Sequence, residues 1–132
     1  MLKLLLVGND KGALSDLAAA LDQHSDVDIL WADFGETALR IVSGKIVDLI
    51  ITDEVLGDMT GLEFADRLIA VNPMVNCATV SSLSPEKFHE ASEGLGLMAQ
   101  LSVKPGKEEA EDLLHRLRHI KGLTGGVKDG VG

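Results

Sequence analysis

The chain has one cysteine, three prolines, no tyrosine and only 3% aromatic residues. The lone Cys77 excludes an internal disulfide and suits a reducing compartment. So few aromatics exclude the stacked platforms on which single-stranded nucleic acids lie. Positive charge is also scarce: 12 Lys and Arg face 21 Asp and Glu, for a net charge of −9. Such a surface repels polyanions, so direct nucleic-acid binding is not expected and any effect on transcription would pass through a partner protein. No apolar run is long enough to cross a bilayer. The opening "MLKLLLVGND" has too short an apolar stretch, and no small-residue cleavage site, for a signal peptide. A cytoplasmic protein with no membrane association is expected.

What the sequence does have is alternation. The 132 residues suit one domain with one core. Five short apolar runs, at 3–7, 28–32, 47–52, 76–80 and 99–103, alternate with five amphipathic segments. The first and third are almost continuously aliphatic, as in central parallel strands covered on both faces. Between the runs the helical period appears. Leu14, Leu17, Ala18 and Leu21 form one stripe in a helix expected at 11–22. Leu62, Ala65, Leu68 and Ile69 form a second. Ala110, Leu113, Leu114, Leu117 and Ile120 form a third. Shorter helices are expected near 35–43 and 85–94. Thr60 and Ser84 read as N-caps, Pro85 fits a first helical turn, and Gly44 and Gly122 read as stops. Strict alternation with short connections predicts a three-layer, doubly wound, five-stranded parallel sheet. Residues 1–121 form the expected domain. Residues 122–132, glycine-rich and without period, read as a flexible tail or linker.

In such open sheets a site lies beyond the carboxyl ends of the strands, near the point where strand order reverses. Gly8, Asn9 and Asp10 follow the first run, and Asp53 and Glu54 the third. Ser81 and Ser82 follow the fourth, and Lys104 and Pro105 the fifth. A carboxylate, a hydroxyl, an amine and a polar pair would thus converge on one crevice. A carboxylate beside a hard cation can accept a phosphoryl group, a lysine can neutralise it, and a hydroxyl can donate to it. Taken singly, each residue reads as an ordinary polar strand end.

At these residues the chain resembles the receiver domain of two-component response regulators, over residues 3 to about 121. "DLIITDEVLGDMTGLEF" (48–64) is similar to the family's third strand, phospho-acceptor and following loop. "SVKP" (102–105) is similar to its lysine–proline motif. The resemblance implies a flavodoxin-like fold with Asp53 as phospho-acceptor. It implies that Lys104 pairs with the phosphoryl group, and that Ser81, with Ser82 as fallback, hydrogen-bonds it. It also implies a magnesium ion, held by Asp53, the Val55 carbonyl and Asp10 or Asn9. A histidine kinase or phosphotransfer protein would be the donor and an effector protein the target. A homodimer through the last helices and strands is compatible with the pattern, but nothing demands it. A receiver is a phospho-acceptor, not an enzyme beyond its own phosphorylation and dephosphorylation.

The chain also departs from the family. Two adjacent acids usually end the first strand, where Gly8 and Asn9 stand here; a shift of one residue would bring Asn9 and Asp10 there. Losing one carboxylate to an amide removes a charge, and losing the other to glycine removes a ligand, so magnesium binding is expected to be weak or lost. The alternative for this stretch is structural: Gly8 lets the chain turn, and Asn9 or Asp10 caps the next helix. Gly57 replaces the usual loop proline, Val55 is apolar, and Leu101 replaces the switching aromatic. These departures open a competing reading, a phosphorylation-independent interaction module using the surface of 107–121 or 85–94. A third is a flavin carrier. His115 and His119, four apart, read as a solvated helix face, Cys77 as a buried small hydrophobe, and Trp31 as packing against a helix.

Overall fold

The computed structural model describes residues 1–122; the rest of the glycine-rich segment lies outside the described residues. Strands β1 (Leu2–Val7), β2 (Val27–Ala32), β3 (Leu49–Thr52), β4 (Asn76–Val80) and β5 (Ala99–Leu101) form one sheet. All neighbours are parallel, in the order β2-β1-β3-β4-β5. Five helices connect and follow them: α1 (Ser15–Asp22), α2 (Gly35–Gly44), α3 (Gly61–Val71), α4 (Pro85–Ala91) and α5 (Lys107–Ile120). This is the expected three-layer, flavodoxin-like fold.

Two apolar layers hold it. On one face Leu4, Leu6, Leu49 and Ile51 pack against Leu14, Leu17 and Leu21 before and within α1, and Leu113, Leu114 and Leu117 of α5. On the other, Leu5, Val7 and Ile50 pack against Ala38 and Val42 of α2 and Phe64 and Leu68 of α3. Successive residues of β1 and β3 therefore feed opposite layers, so the runs read as continuously aliphatic. Burying each such Leu or Ile side chain contributes about 1.5–3 kcal/mol. Trp31 packs partly buried against the α1/α5 layer.

Several boundaries differ from the sequence expectation, each for a local reason. The helix expected at 11–22 starts as a 3-10 turn, Lys11–Leu14, and becomes α-helical at Ser15. β5 stops at Leu101 because the next amide, Ser102, donates to the Glu109 carboxylate (2.8 Å) instead of to a neighbouring strand. α4 ends at Ala91, and the chain then bends through Gly94 and Gly96, both with positive φ. The buried stripe of α3 is Gly61, Phe64, Ala65 and Leu68; Ile69 is 37% exposed. In α5 the stripe ends at Leu117. Ile120 is 57% exposed and lines, with His115 and His119, a surface cleft of about 560 Å³. Thr60 and Ser84 do cap α3 and α4, and Thr60 forms a full capping box with Glu63.

At the opposite end of the sheet from the strand C-termini, the Asp48 carboxylate accepts from the Lys3 amide (2.7 Å) and the Lys121 ammonium (2.7 Å). Burial pushes its carboxyl up, but these donors outweigh that and its pKa lies below the ordinary carboxylate value. No helix among the described residues is long and apolar enough to cross a membrane.

Candidate functional site

β1 lies between β2 and β3, so the strand order reverses there, and the ends of β1 and β3 are where a site is expected in such a sheet. The ladder pairs Val7 with Thr52. The next residues, Gly8 and Asp53, are therefore side by side, and the Asp53 amide donates to the Val7 carbonyl (2.9 Å). A Cβ added at Gly8 would stand 3.3 Å from the Asp53 Cβ and 3.8 Å from its Oδ2. Gly8 has no positive φ; what its missing side chain provides is room beside Asp53, not a turn.

Asp53 is half-buried, and Oδ1 accepts from the Glu54 amide (2.7 Å). Burial raises its pKa most. The Glu54 amide opposes this, but the negative charges of Asp10 and Glu54 add to the rise, and the carboxyl titrates above its ordinary value. Among the described residues, no positive charge offsets them.

The loop after Asp53 is fixed by its glycines. Gly57 has φ +90°, which proline cannot adopt, so the usual loop proline is excluded here. A Cβ at Gly57 would also come within 2.9 Å of the Asn9 Nδ2. Gly61 starts α3 so close to β3 that a Cβ would collide with the Asp53 carbonyl (2.6 Å) and Thr52 Oγ1 (2.7 Å). Between them, the Asp58 carboxylate accepts from the amides of Gly35 (2.9 Å) and Glu36 (3.1 Å), capping α2 from a distant loop. The loop that follows the acceptor is thus tied to the start of α2.

Ser81 is buried at the end of β4, and Glu54 reaches across to it. Glu54 Oε2 accepts from the Ser82 amide (2.9 Å), the Ser82 hydroxyl (3.0 Å) and, more distantly, the Ser81 hydroxyl (3.5 Å). From the other side, Gln100 Nε2 donates to the carbonyls of Leu83 (2.8 Å) and Ser81 (3.4 Å).

Lys104 is exposed in the loop after β5, with φ +55°, a left-handed conformation that costs a lysine about 1–2 kcal/mol. Ser102, bonded through amide and hydroxyl to Glu109 (2.8 and 2.6 Å), and buried Pro105 fix the chain on either side. Among the described residues, Lys104 has no ion-pair partner. The structure thus gathers Asp53, Gly8, Asp10, Glu54 and the β4 serines, and leaves the Lys104 ammonium outside the charges acting on Asp53.

The residues fit magnesium poorly. Gly8 offers no side-chain ligand beside Asp53. The Asn9 amide leans over Gly57, and Asp10, though its charge reaches Asp53, is engaged as cap of the 3-10 turn, its Oδ1 accepting from the Gly12 amide (3.1 Å). The Val55 carbonyl takes no part in the loop's two backbone bonds, Leu56 to Met59 and Gly61 to Glu54, though the Val55 side chain is 61% exposed. Among the described residues, no three His, Cys, Asp or Glu side chains are grouped to hold a metal ion.

Residues 4–118 match the family model for the response regulator receiver domain. The chain belongs to that family. As a receiver it is a signalling module of the phospho-accepting class, and receivers in general bind magnesium at an acidic pocket and work with histidine kinases and effectors. Solved structures share its fold. A CheY-like receiver domain from Methanospirillum hungatei JF-1 is 17% identical with TM-score 0.79, covering 92% of this chain and 98% of that one. The chemotaxis response regulator CheY4 of Vibrio cholerae is 19% identical with TM-score 0.76, covering 89% and 98%. The N-terminal domain of an uncharacterised protein from Wolinella succinogenes is 28% identical with TM-score 0.77, covering 92% and 97%. Among curated proteins, a protein-glutamate methylesterase/protein-glutamine glutaminase of Cupriavidus metallidurans is 26% identical over 95% of this chain. The receiver spans 39% of that relative's length.

Gln100 and Asp58 escape a reading of the sequence as site residues, and so does the grip of Glu54, placed there only as the residue after Asp53, on the β4 serines. Each acts across a fold contact on a segment that no local spacing links to it. The only visible signal is that Glu54 directly follows the acceptor-like Asp53.

Proposed function

We propose that Asp53 accepts a phosphoryl group from the phosphohistidine of a partner kinase or phosphotransfer protein. The observation that carries this is the Asp53 carboxylate at the sheet's reversal point, with Oδ1 held by the Glu54 amide and Oδ2 left to attack phosphorus. The imidazole N–P bond breaks, an Oδ2–P bond forms, and the imidazole nitrogen takes up a proton. Lys104, on its long flexible stem, would swing toward the added charge, and Ser81 would donate a hydrogen bond to it. With Gly8 and Asn9 standing where the family has two acids, magnesium held by Asp53, the Val55 carbonyl and Asn9 or Asp10 would be weak or lost. The unit 1–121 would work in the cytoplasm and pass its state to an effector protein.

The test is intact mass after incubation with acetyl phosphate, with and without magnesium. A gain of one phosphoryl group in the wild type, absent in Asp53→Asn, supports the assignment. A gain that persists in Asp53→Asn refutes it.

One second reading has a specific observation behind it. The poor cation site and Leu101, buried where the family carries a switching aromatic, favour a receiver fold kept for phosphorylation-independent binding through the surface of α5 or α4. No mass gain from acetyl phosphate or from a cognate kinase would favour it.

A further inference from the structure

The donors at the end of β4 already hold an anion. An amide and two hydroxyls, all from Ser81 and Ser82, converge on the single oxygen Oε2 of Glu54. A phosphoryl oxygen on Asp53 would seek the same kind of donors, and hydrogen bonds to a charged acceptor are about twice as strong as neutral ones. Glu54 is the residue after Asp53, so its carboxylate is tethered beside the acceptor at high effective concentration. The loop it grips is also strapped from β5 by Gln100, so its position is fixed on both sides. The Ser81 hydroxyl accepts from the Leu83 amide (3.2 Å) and has one proton to give, which points toward Glu54. At 3.5 Å that contact is the loosest of the three, whereas the Ser82 contacts are short.

We propose that Glu54 is a built-in stand-in for the phosphoryl group, holding the β4–α4 loop in its anion-engaged position whether or not Asp53 is phosphorylated. The inference rests on the reading of Asp53 as acceptor. It makes the backbone of the loop unresponsive in the wild type: a phosphoryl group arriving on Asp53 can draw on the loosely held Ser81 hydroxyl but meets Ser82 donors already engaged, so the state of Asp53 would reach an effector through another surface. Leu101, buried and lacking a ring to swing, lies on the adjacent strand and adds no second moving part.

The experiment is amide NMR with hydrogen exchange on the whole chain: wild type, Glu54→Ala, Glu54→Gln and Asp53→Asn, each before and after acetyl phosphate. Intact mass is recorded on the same samples. Before phosphorylation, the Ser82 amide should exchange about tenfold faster in Glu54→Ala than in the wild type, while Ala78 and Thr79 in β4 are unchanged. Asp53→Asn should keep the wild-type protection. On phosphorylation, the Ser82 and Leu83 amides should stay in place in the wild type and move in Glu54→Ala, with protection regained there. Glu54→Gln keeps the side-chain shape and an acceptor oxygen but no charge, and should fall between; it carries the comparison if the alanine variant does not fold. Equal Ser82 exchange in the wild type and both Glu54 variants would overturn the clamp. So would Ser82 and Leu83 shifts on phosphorylation as large in the wild type as in Glu54→Ala. Absence of mass gain in every protein, from acetyl phosphate and from a cognate kinase alike, would instead refute Asp53 as acceptor, and the exchange comparison before phosphorylation would still decide the clamp.

Discussion

Gly8 and Asp53 stand side by side at the ends of β1 and β3, so close that a Cβ on residue 8 would lie 3.3 Å from the Asp53 Cβ. The glycine removes a potential ligand at the point where a cation would neutralise Asp53, and the neighbouring Asn9 supplies an amide in place of a charge. Magnesium should therefore bind the wild type weakly, and restoring acids should restore it. A cation present at ten times its dissociation constant stabilises a fold by about 1.4 kcal/mol. In thermal melts at millimolar magnesium, Gly8→Asp/Asn9→Asp should gain such an increment and the wild type should not. Equal magnesium responses in the two proteins would show that the native residues already form a competent site.

Asp53 itself lowers stability. Its carboxyl titrates above the ordinary value, chiefly through burial, so the folded state holds its proton more tightly than the unfolded chain. Stability is then lost as pH rises from the ordinary carboxylate value through the raised one, and the loss is complete at neutral pH. Asp53→Asn removes that charge and should melt higher than the wild type at pH 7, with the gap closing below pH ~4. A variant less stable than the wild type at pH 7 would contradict the burial argument.

Asp48 has the opposite sign. Its lowered pKa means that its stabilising bonds to the Lys3 amide and Lys121 are present above the ordinary carboxylate value and lost as pH falls through the depressed one. Hydrogen bonds to charged groups contribute about 1.5–3 kcal/mol, so Asp48→Ala should cost about that in urea unfolding at pH 7. The deficit should narrow toward pH 3. A deficit independent of pH would mean that packing, not charge, carries the contribution.

Cys77 is buried in β4 and burial pushes its thiol up to about 12. The thiolate is the reactive species, so the folded protein should resist iodoacetamide at neutral pH and label rapidly once unfolded in urea. Labelling of the native protein at the rate of a free thiol would place Cys77 at the surface.

The strands, their order of appearance and most of the core were legible because strand and helix impose periods on a sequence. Leu4 to Val7, Leu49 to Ile51 and the stripes through Leu17 and Leu113 announce themselves by spacing alone. Asp53 and Lys104 stood out as candidates because they follow strand ends in short motifs; the structure puts Asp53 at the point where strand order reverses and leaves the Lys104 ammonium outside the charges acting on it. Boundaries set by a distant side chain were not: Glu109 ends β5, and only the fold brings it to Ser102. The pairing of Gly8 with Asp53 was likewise hidden, because register is a property of two strands at once. The grip of Glu54 on Ser82 depends on the crossing from β3 to β4, which no spacing within either segment reveals.

The most direct test of the central claim is borohydride trapping of the phosphorylated protein followed by peptide mapping. An aspartyl phosphate is an acyl phosphate, which borohydride reduces to homoserine while leaving free carboxylates intact. The account predicts homoserine at residue 53 and at no other acid. Conversion at Asp10 or Asp58 in its place, or none in a protein that has gained phosphoryl mass, would contradict it.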